Sequence, residues 1–165
     1  MFSRKLLWII TWIVASNAWA LPDDSKQNIH IEADQVDIDD RNGVSTYSGK
    51  VQLIQGSIRL TADNIVVHTE NRVLVKIIAN GKPSTFRQKP EAGKLDVVAK
   101  ALQLEYLARD GKLILTRSAS LNQGMNMFSG NRILYDLNQS YVRAESDDQS
   151  SQRVQVVIQP STLEE

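Results

Sequence analysis

Tyr47-Ser48-Gly49-Lys50-Val51-Gln52-Leu53-Ile54-Gln55-Gly56-Ser57-Ile58-Arg59-Leu60-Thr61-Ala62-Asp63 reads as two strands and the turn between them. Tyr47, Gly49, Val51 and Leu53 alternate with Ser48, Lys50 and Gln52. Beyond the turn at Gln55-Gly56-Ser57, Ile58 and Leu60 alternate with Arg59 and Thr61. A period of two places one set of side chains on each face of a β-strand, whereas a helix needs apolar residues at three- and four-residue steps. The same alternation recurs at Leu102, Leu104 and Tyr106 and at Val154, Val156 and Ile158. No stretch sustains a helical period. Turn-forming groups punctuate the strands: Arg41-Asn42-Gly43, Glu70-Asn71-Arg72, Asn80-Gly81-Lys82-Pro83, Ala92-Gly93-Lys94, Asp110-Gly111-Lys112 and Leu137-Asn138-Gln139-Ser140. Many short strands with such turns predict an all-β sandwich or jelly roll. The polar tract 145–152 predicts a long loop or hinge before a last strand at Arg153–Gln159.

A small residue followed three and five places later by apolar ones recurs: Ala33 with Val36 and Ile38, Ala62 with Ile65 and Val67, Ala99 with Leu102 and Leu104, Gly130 with Ile133 and Tyr135. This predicts a stack of similar two-strand units, each bending at the small residue, where a larger side chain would block the corner.

The N-terminus predicts a cleaved secretory signal at residues 1–20. Arg4 and Lys5 are its positive region, Leu6 to Ala15 its apolar core and Ala18-Trp19-Ala20 its cleavage site, so one domain, 21–165, would remain. All 3 tryptophans (Trp8, Trp12, Trp19) would leave with it. The remainder carries 17 basic and 19 acidic residues, a net charge of −2, which argues against a nucleic-acid binder. With no cysteine, the domain relies on its apolar core and lacks a site for lipid attachment.

No catalytic, metal or cofactor motif emerges. His30 and His68 lack a ligand-spaced partner and are expected at the surface. Asp37, Asp39, Asp40 and Gly43 fail the calcium-loop pattern, with Arg41 and Ser48 where ligands are required, and are read as a hairpin turn. Gly81-Lys82-Pro83-Ser84 lacks the upstream glycine of a phosphate loop, and its proline stands where a helix should start. Asn138-Gln139-Ser140 matches a glycosylation sequon, a frequent chance match.

Three segments carry a family resemblance: Ile29-His30-Ile31-Glu32-Ala33-Asp34-Gln35, the opening stretch Tyr47 to Asp63, and Gly81-Lys82-Pro83-Ser84-Thr85-Phe86. Sequence, order and spacing resemble those of the organic-solvent-tolerance-A-like (LptA) family of periplasmic lipopolysaccharide-transport bridge proteins. The likeness extends over roughly residues 29–160. Two features depart from it. Arg117-Ser118-Ala119 stands where the family has a T-G-N or T-G-K step, and the basic C-terminal tail of some members is missing.

The resemblance implies a twisted, open β-jelly roll of V-shaped antiparallel strands with an apolar interior, and a non-enzymatic carrier in the periplasm. It implies lipopolysaccharide as cargo, held by lipid A. Partners would be a bitopic inner-membrane transport protein (LptC-like) and the periplasmic domain of an outer-membrane translocon (LptD-like), with head-to-tail copies between them. Exposing one acyl methylene to water costs about 0.8 kcal/mol, so whole chains need an apolar lining to cross an aqueous space. The inward phase supplies the candidate lipid-binding set: Ile31, Val36, Ile38, Val51, Leu53, Leu60, Ile65, Val67, Phe86, Leu102, Leu104 and Tyr106. Ile29, Ile31, Val154, Val156 and Ile158 are candidate partner edges, because the first and last strands of an open roll leave backbone groups unpaired.

Three other readings compete. A related inner-membrane partner would keep its N-terminal segment as an anchor. A structural periplasmic β-repeat protein would have a filled core and no cargo. A sugar-active enzyme would need a carboxylate pair in a cleft, for which Asp136 and Glu145 are the candidates.

Overall fold

Each alternating stretch forms a strand, and the bends fall where side chains are small. The structure, a computed structural model, describes residues 24–89, 95–146 and 153–159. The signal segment 1–20 and most of the polar tract 145–152 lie outside the described residues. A short 3-10 turn, η1 (Asp24–Lys26), leads into β1 (Ile29–Glu32), β2 (Gln35–Asp39), β3 (Val44–Gln55), β4 (Ile58–Glu70) and β5 (Val73–Gln88). There follow β6 (Val97–Leu107), β7 (Lys112–Gln123), β8 (Asn126–Asp136), β9 (Tyr141–Glu145) and β10 (Gln155–Val157). All pairings are antiparallel within one 10-stranded sheet, in the order β1-β3-β4-β5-β6-β7-β8-β10. The short β2 adds to the free part of β3, and β9 to the free part of β8.

Six long strands, β3 to β8, make the body. Every neighbouring pair among them shifts register near its middle, at Ser48/Val51, Thr61/Asn64, Asn80/Ser84, Lys100/Gln103 and Thr116/Ala119, and β4 and β5 shift a second time at His68/Thr69. The mid-strand shifts align into a crease that divides the sheet into two arms. The inner side of the crease is lined by Ala62, Ser84, Ala101, Ala119 and Gly130. Small residues stand there because the arms converge and leave no room for bulk.

On the first arm, Leu53, Leu60, Phe86, Ala99 and Leu121 stand opposite one another across β3 to β7. On the second arm, Ile65, Ala79, Leu104, Leu115 and Ile133 do the same across β4 to β8. Both rows belong to one buried cluster. Burying each large apolar side chain contributes about 1.5–3 kcal/mol, and with no cysteine in the chain this cluster carries the fold.

The third copy of the sequence repeat shifts by two residues. The crease residue of β6 is Ala101, not Ala99, and it is followed at the same spacing by Leu104 and Tyr106. Ala99 lies on the first arm between Phe86 and Leu121. Leu102 falls in the irregular step and turns to the outer side, 37% exposed, which corrects its expected inward position. An extra residue in a strand reverses the phase of everything beyond it, and simple alternation cannot register that reversal.

A candidate lipid-binding groove

The arms face each other. Phe86, on the first arm, is paired in the sheet with Ala99, seven positions before Tyr106 on the same strand. A straight strand would set those positions ~23 Å apart. The rings of Phe86 and Tyr106 nevertheless lie 6.2 Å apart between centroids, tilted by 39°. The crease therefore folds the inner faces against each other, closing the groove between the arms.

Eight of the expected lining residues meet inside it: Val51, Leu53, Leu60, Ile65, Val67, Phe86, Leu104 and Tyr106 are all buried. Ile31 is half-buried, packed on the cluster from β1 beside Leu53. Val36 and Ile38 differ. Register puts them on the inner side, opposite Tyr47 and Ser45, yet they are 52% and 57% exposed. β2 is an end strand, and the phase expected for it holds while burial does not.

The expected set omits Ile77, Leu113, Leu115, Leu121, Ile133 and Tyr135, all buried in the same groove. Their signal was present as alternation in β5, β7 and β8. The outward Ile114 and Leu134 blurred it by making the runs read as continuously apolar.

Polar groups gather at the hairpins that form the groove's two lips. On the first-arm lip, Asp24 accepts hydrogen bonds from the Ser57 amide (2.6 Å), the Ser57 hydroxyl (2.7 Å) and Gln88 Nε2 (2.9 Å). The Gln55 amide donates to the Gln27 carbonyl at 3.2 Å. η1 is thereby tied to the β3–β4 turn and to β5. Gly56 permits the approach, since a Cβ there would collide with the Asp24 carboxylate. On the opposite lip, the Asn42 side chain and backbone amide donate to Asp39 and hold its carboxyl below the usual carboxylate range. Asp40 to Gly43 thus form the hairpin turn before Val44 expected from the sequence, with Asp37 and Asp39 on β2 leading into it.

The carboxylates considered for catalysis have structural partners. Asp136 accepts from the amides of Asn138 (3.0 Å) and Gln139 (2.9 Å), capping the β8–β9 turn. Glu145 pairs with Arg132 (3.2 Å) and Arg143 (2.8 Å). Gly81 to Ser84 lies within β5 at the crease, away from any helix. Among the described residues no three metal-capable side chains come together.

The end strands are short. β10 spans three residues, against the seven expected, and pairs Val156 with Phe128 of β8. Val156 and Ile158 are 48% and 66% exposed, and Val154 is half-buried. Ile29 pairs with Gln55 on the other end of the sheet.

Known proteins share this arrangement. The family described as LptA/(LptD N-terminal domain) LPS transport protein matches residues 30–141. Lipopolysaccharide export system protein LptA of Escherichia coli (strain K12) is 35% identical over 150 residues, covering 90% of this chain and 80% of that one. The LptA of Haemophilus influenzae is 33% identical over 169 residues, covering 100% and 96%. The crystal structure of LptH, the LptA-homologous periplasmic component of the lipopolysaccharide transport device of Pseudomonas aeruginosa, superposes with a TM-score of 0.78 at 31% identity, covering 84% of this chain and 100% of that one. A fold of two apolar arms closed on each other and this likeness along most of its length make the chain a member of the LptA/LptD N-terminal domain family of periplasmic, non-enzymatic lipopolysaccharide transport proteins.

Proposed function

We propose that the groove between the arms carries lipopolysaccharide by the acyl chains of lipid A, and that the chain relays this cargo across the periplasm from a bitopic inner-membrane protein (LptC-like) to the periplasmic domain of an outer-membrane translocon (LptD-like). The observation that carries the reading is the meeting of two apolar sheet faces, rooted in Phe86 and Tyr106, along a crease of small residues. Acyl chains need a long apolar lining with polar groups kept outside, and paired period-two faces supply it. The candidate lipid contacts are the eight buried lining residues named above with Ile31, and Val36 and Ile38 where the groove opens at β2. Copies stacked head to tail, or docked on the membrane partners through the end strands, would align their grooves into one conduit.

A photo-crosslinking residue at Phe86 or Leu104 tests the reading in cells. Both should capture lipopolysaccharide, and the same probe at Glu105, on the outer side of β6, should capture little. Equal capture at all three positions would remove the groove from the mechanism.

A further inference from the structure

We propose that the outer face of the first arm docks on an anionic phospholipid bilayer. Six cations rise from this face and the crest above the crease: Lys50 on β3, Arg59 on β4, Lys82 and Arg87 on β5, Lys100 on β6 and Arg117 on β7. All six are exposed. Arg59 and Arg87 are directly opposed in the sheet, and Lys100 lies on the diagonal from Arg87, opposite Thr85. Lys82 and Arg117 line one shallow depression of about 310 Å³ with Asp63 and Leu102.

Composition does not explain the cluster, because the chain beyond residue 20 is net acidic. Fold stability does not explain it either. Like charges directly opposite on a sheet repel, and among the described residues none of the six takes an ion pair or a side-chain hydrogen bond. On the second arm Lys76, Arg109, Arg132 and Arg143 are each held by Glu105, Glu70 or Glu145, whereas Arg72 and Lys112 take no ion pair among the described residues. Two of the unpaired cations also sit on a backbone that disfavours them. Lys50 has φ 46° and Arg117 φ 66°, the left-handed region in which a Cβ is crowded. Long charged residues held in that region at an exposed crest point to a use outside the fold.

The layout selects the occupant. From β3 to β7 the cations span ~19 Å across the strands, and from Arg59 to the crest ~13 Å along them. They are spread over one side of a sheet, so a single phosphate could not engage all six. A plane carrying many phosphates matches the spread, and basic clusters are drawn to such surfaces. The groove lies on the other side of the sheet, so the surface does not rest on the cargo reading and leaves the lining free.

Vesicle flotation of residues 21–165 tests this, using phosphatidylcholine vesicles with or without phosphatidylglycerol and free of lipopolysaccharide. The protein should float only with phosphatidylglycerol, and high salt should release it. The triple variant Arg59→Gln/Arg87→Gln/Lys100→Gln should lose binding by ~tenfold or more, with a melting temperature equal to or above that of the parent. Arg109→Gln/Arg132→Gln/Arg143→Gln removes as much charge from the second arm and should retain binding. Absence of flotation, flotation on neutral vesicles, or equal loss in both variants would overturn the proposal. So would capture by the first arm of immobilised polyglutamate but not of anionic vesicles, which would assign the face to an acidic protein.

Discussion

Phe86 and Tyr106 touch across the groove, their ring centroids 6.2 Å apart, although they stand on opposite arms. Their contact helps to close the arms in the state described here, in which Phe86 is 1% exposed and Leu53, Ile65, Leu104 and Leu115 are 0% exposed. On the proposed function, space for acyl chains comes from the arms parting at the crease. The chain has no cysteine, so Phe86→Cys/Tyr106→Cys gives one unambiguous pair. Tying the pair with a short cleavable dithiol-reactive linker should abolish capture of lipopolysaccharide, and cleaving the linker should restore it. Undiminished capture with the arms tied would show that cargo does not enter between them.

The same contact sets a stability expectation. Phe86→Ala removes a fully buried ring and should cost about 3–5 kcal/mol. Urea unfolding measures it. A cost under 1 kcal/mol would mean that the arms are not held together by their inner faces.

The crease supplies a sharper test. Ala101 is 0% exposed at the fold line, whereas its neighbour Leu102 points outward. Ala101→Leu should cost about 1–3 kcal/mol by overpacking, while Leu102→Ala should stay within about 0.5 kcal/mol of the parent. Reversed magnitudes would place the bend where alternation alone would put it.

This pair also marks the limit of the sequence reading. Strand existence, the inward phase of the first arm and the role of small residues were legible because period two survives in Val51, Leu53 and Leu60 and again in Ile65 and Val67. The position of the bend in β6 was not, because Ala99 and Ala101 are chemically alike and only cross-strand register distinguishes them. Exposure of Val36 and Ile38 was hidden for another reason. Alternation reports which side a residue faces, and whether anything covers that side depends on the strand's place in the sheet. The unpaired cations were individually visible, but Arg59 and Arg87 are separated by 28 positions in the chain and meet only through the β4–β5 pairing.

The lip tie at Asp24 is a third target. Asp24→Ala should leave the Ser57 amide and the Gln88 side chain without their acceptor, while the Ser57 hydroxyl keeps the Lys89 carbonyl at 2.9 Å, costing about 1–3 kcal/mol. Hydrogen exchange should accelerate at the Gln55–Ser57 turn and leave the β6–β7 pairing unchanged. Uniform acceleration would mean that η1 supports the whole sheet instead of one lip.

Processing is read from mass and fluorescence. Cleavage after Ala20 would leave Leu21 as the first residue and remove Trp8, Trp12 and Trp19. Periplasmic material should therefore show tyrosine emission only and an intact mass starting at Leu21. A retained N-terminal segment would favour the anchored relative over a free carrier.

Assembly turns on the ends of the sheet. β1 and β2 share the edge of β3, and β9 and β10 share the edge of β8, so each end is finished by two short strands. Those strands cover the long ones, but each keeps its own outer edge open among the described residues. Such edges pair readily with another chain. At the C-terminal end, Val156, Val157 and Ile158 are 48%, 60% and 66% exposed, and no proline interrupts 153–159. At the other end, β1 and β2 have no proline either, and Val36 and Ile38 leave inner-side apolar surface uncovered. Joining the C-terminal edge of one copy to the N-terminal edge of the next would cover both surfaces. Because the two edges differ, the contact does not close on itself and can propagate. Removing residues 153–165 deletes β10 but keeps all six long strands and β9. The truncated protein should remain folded by circular dichroism and stay monomeric, while the parent forms concentration-dependent oligomers or docks on its membrane partners. Light scattering over a wide concentration range and pull-down with each partner read the two results. If the parent and the truncated protein are both monomeric and dock equally on both partners, edge pairing through β10 is not how this protein assembles.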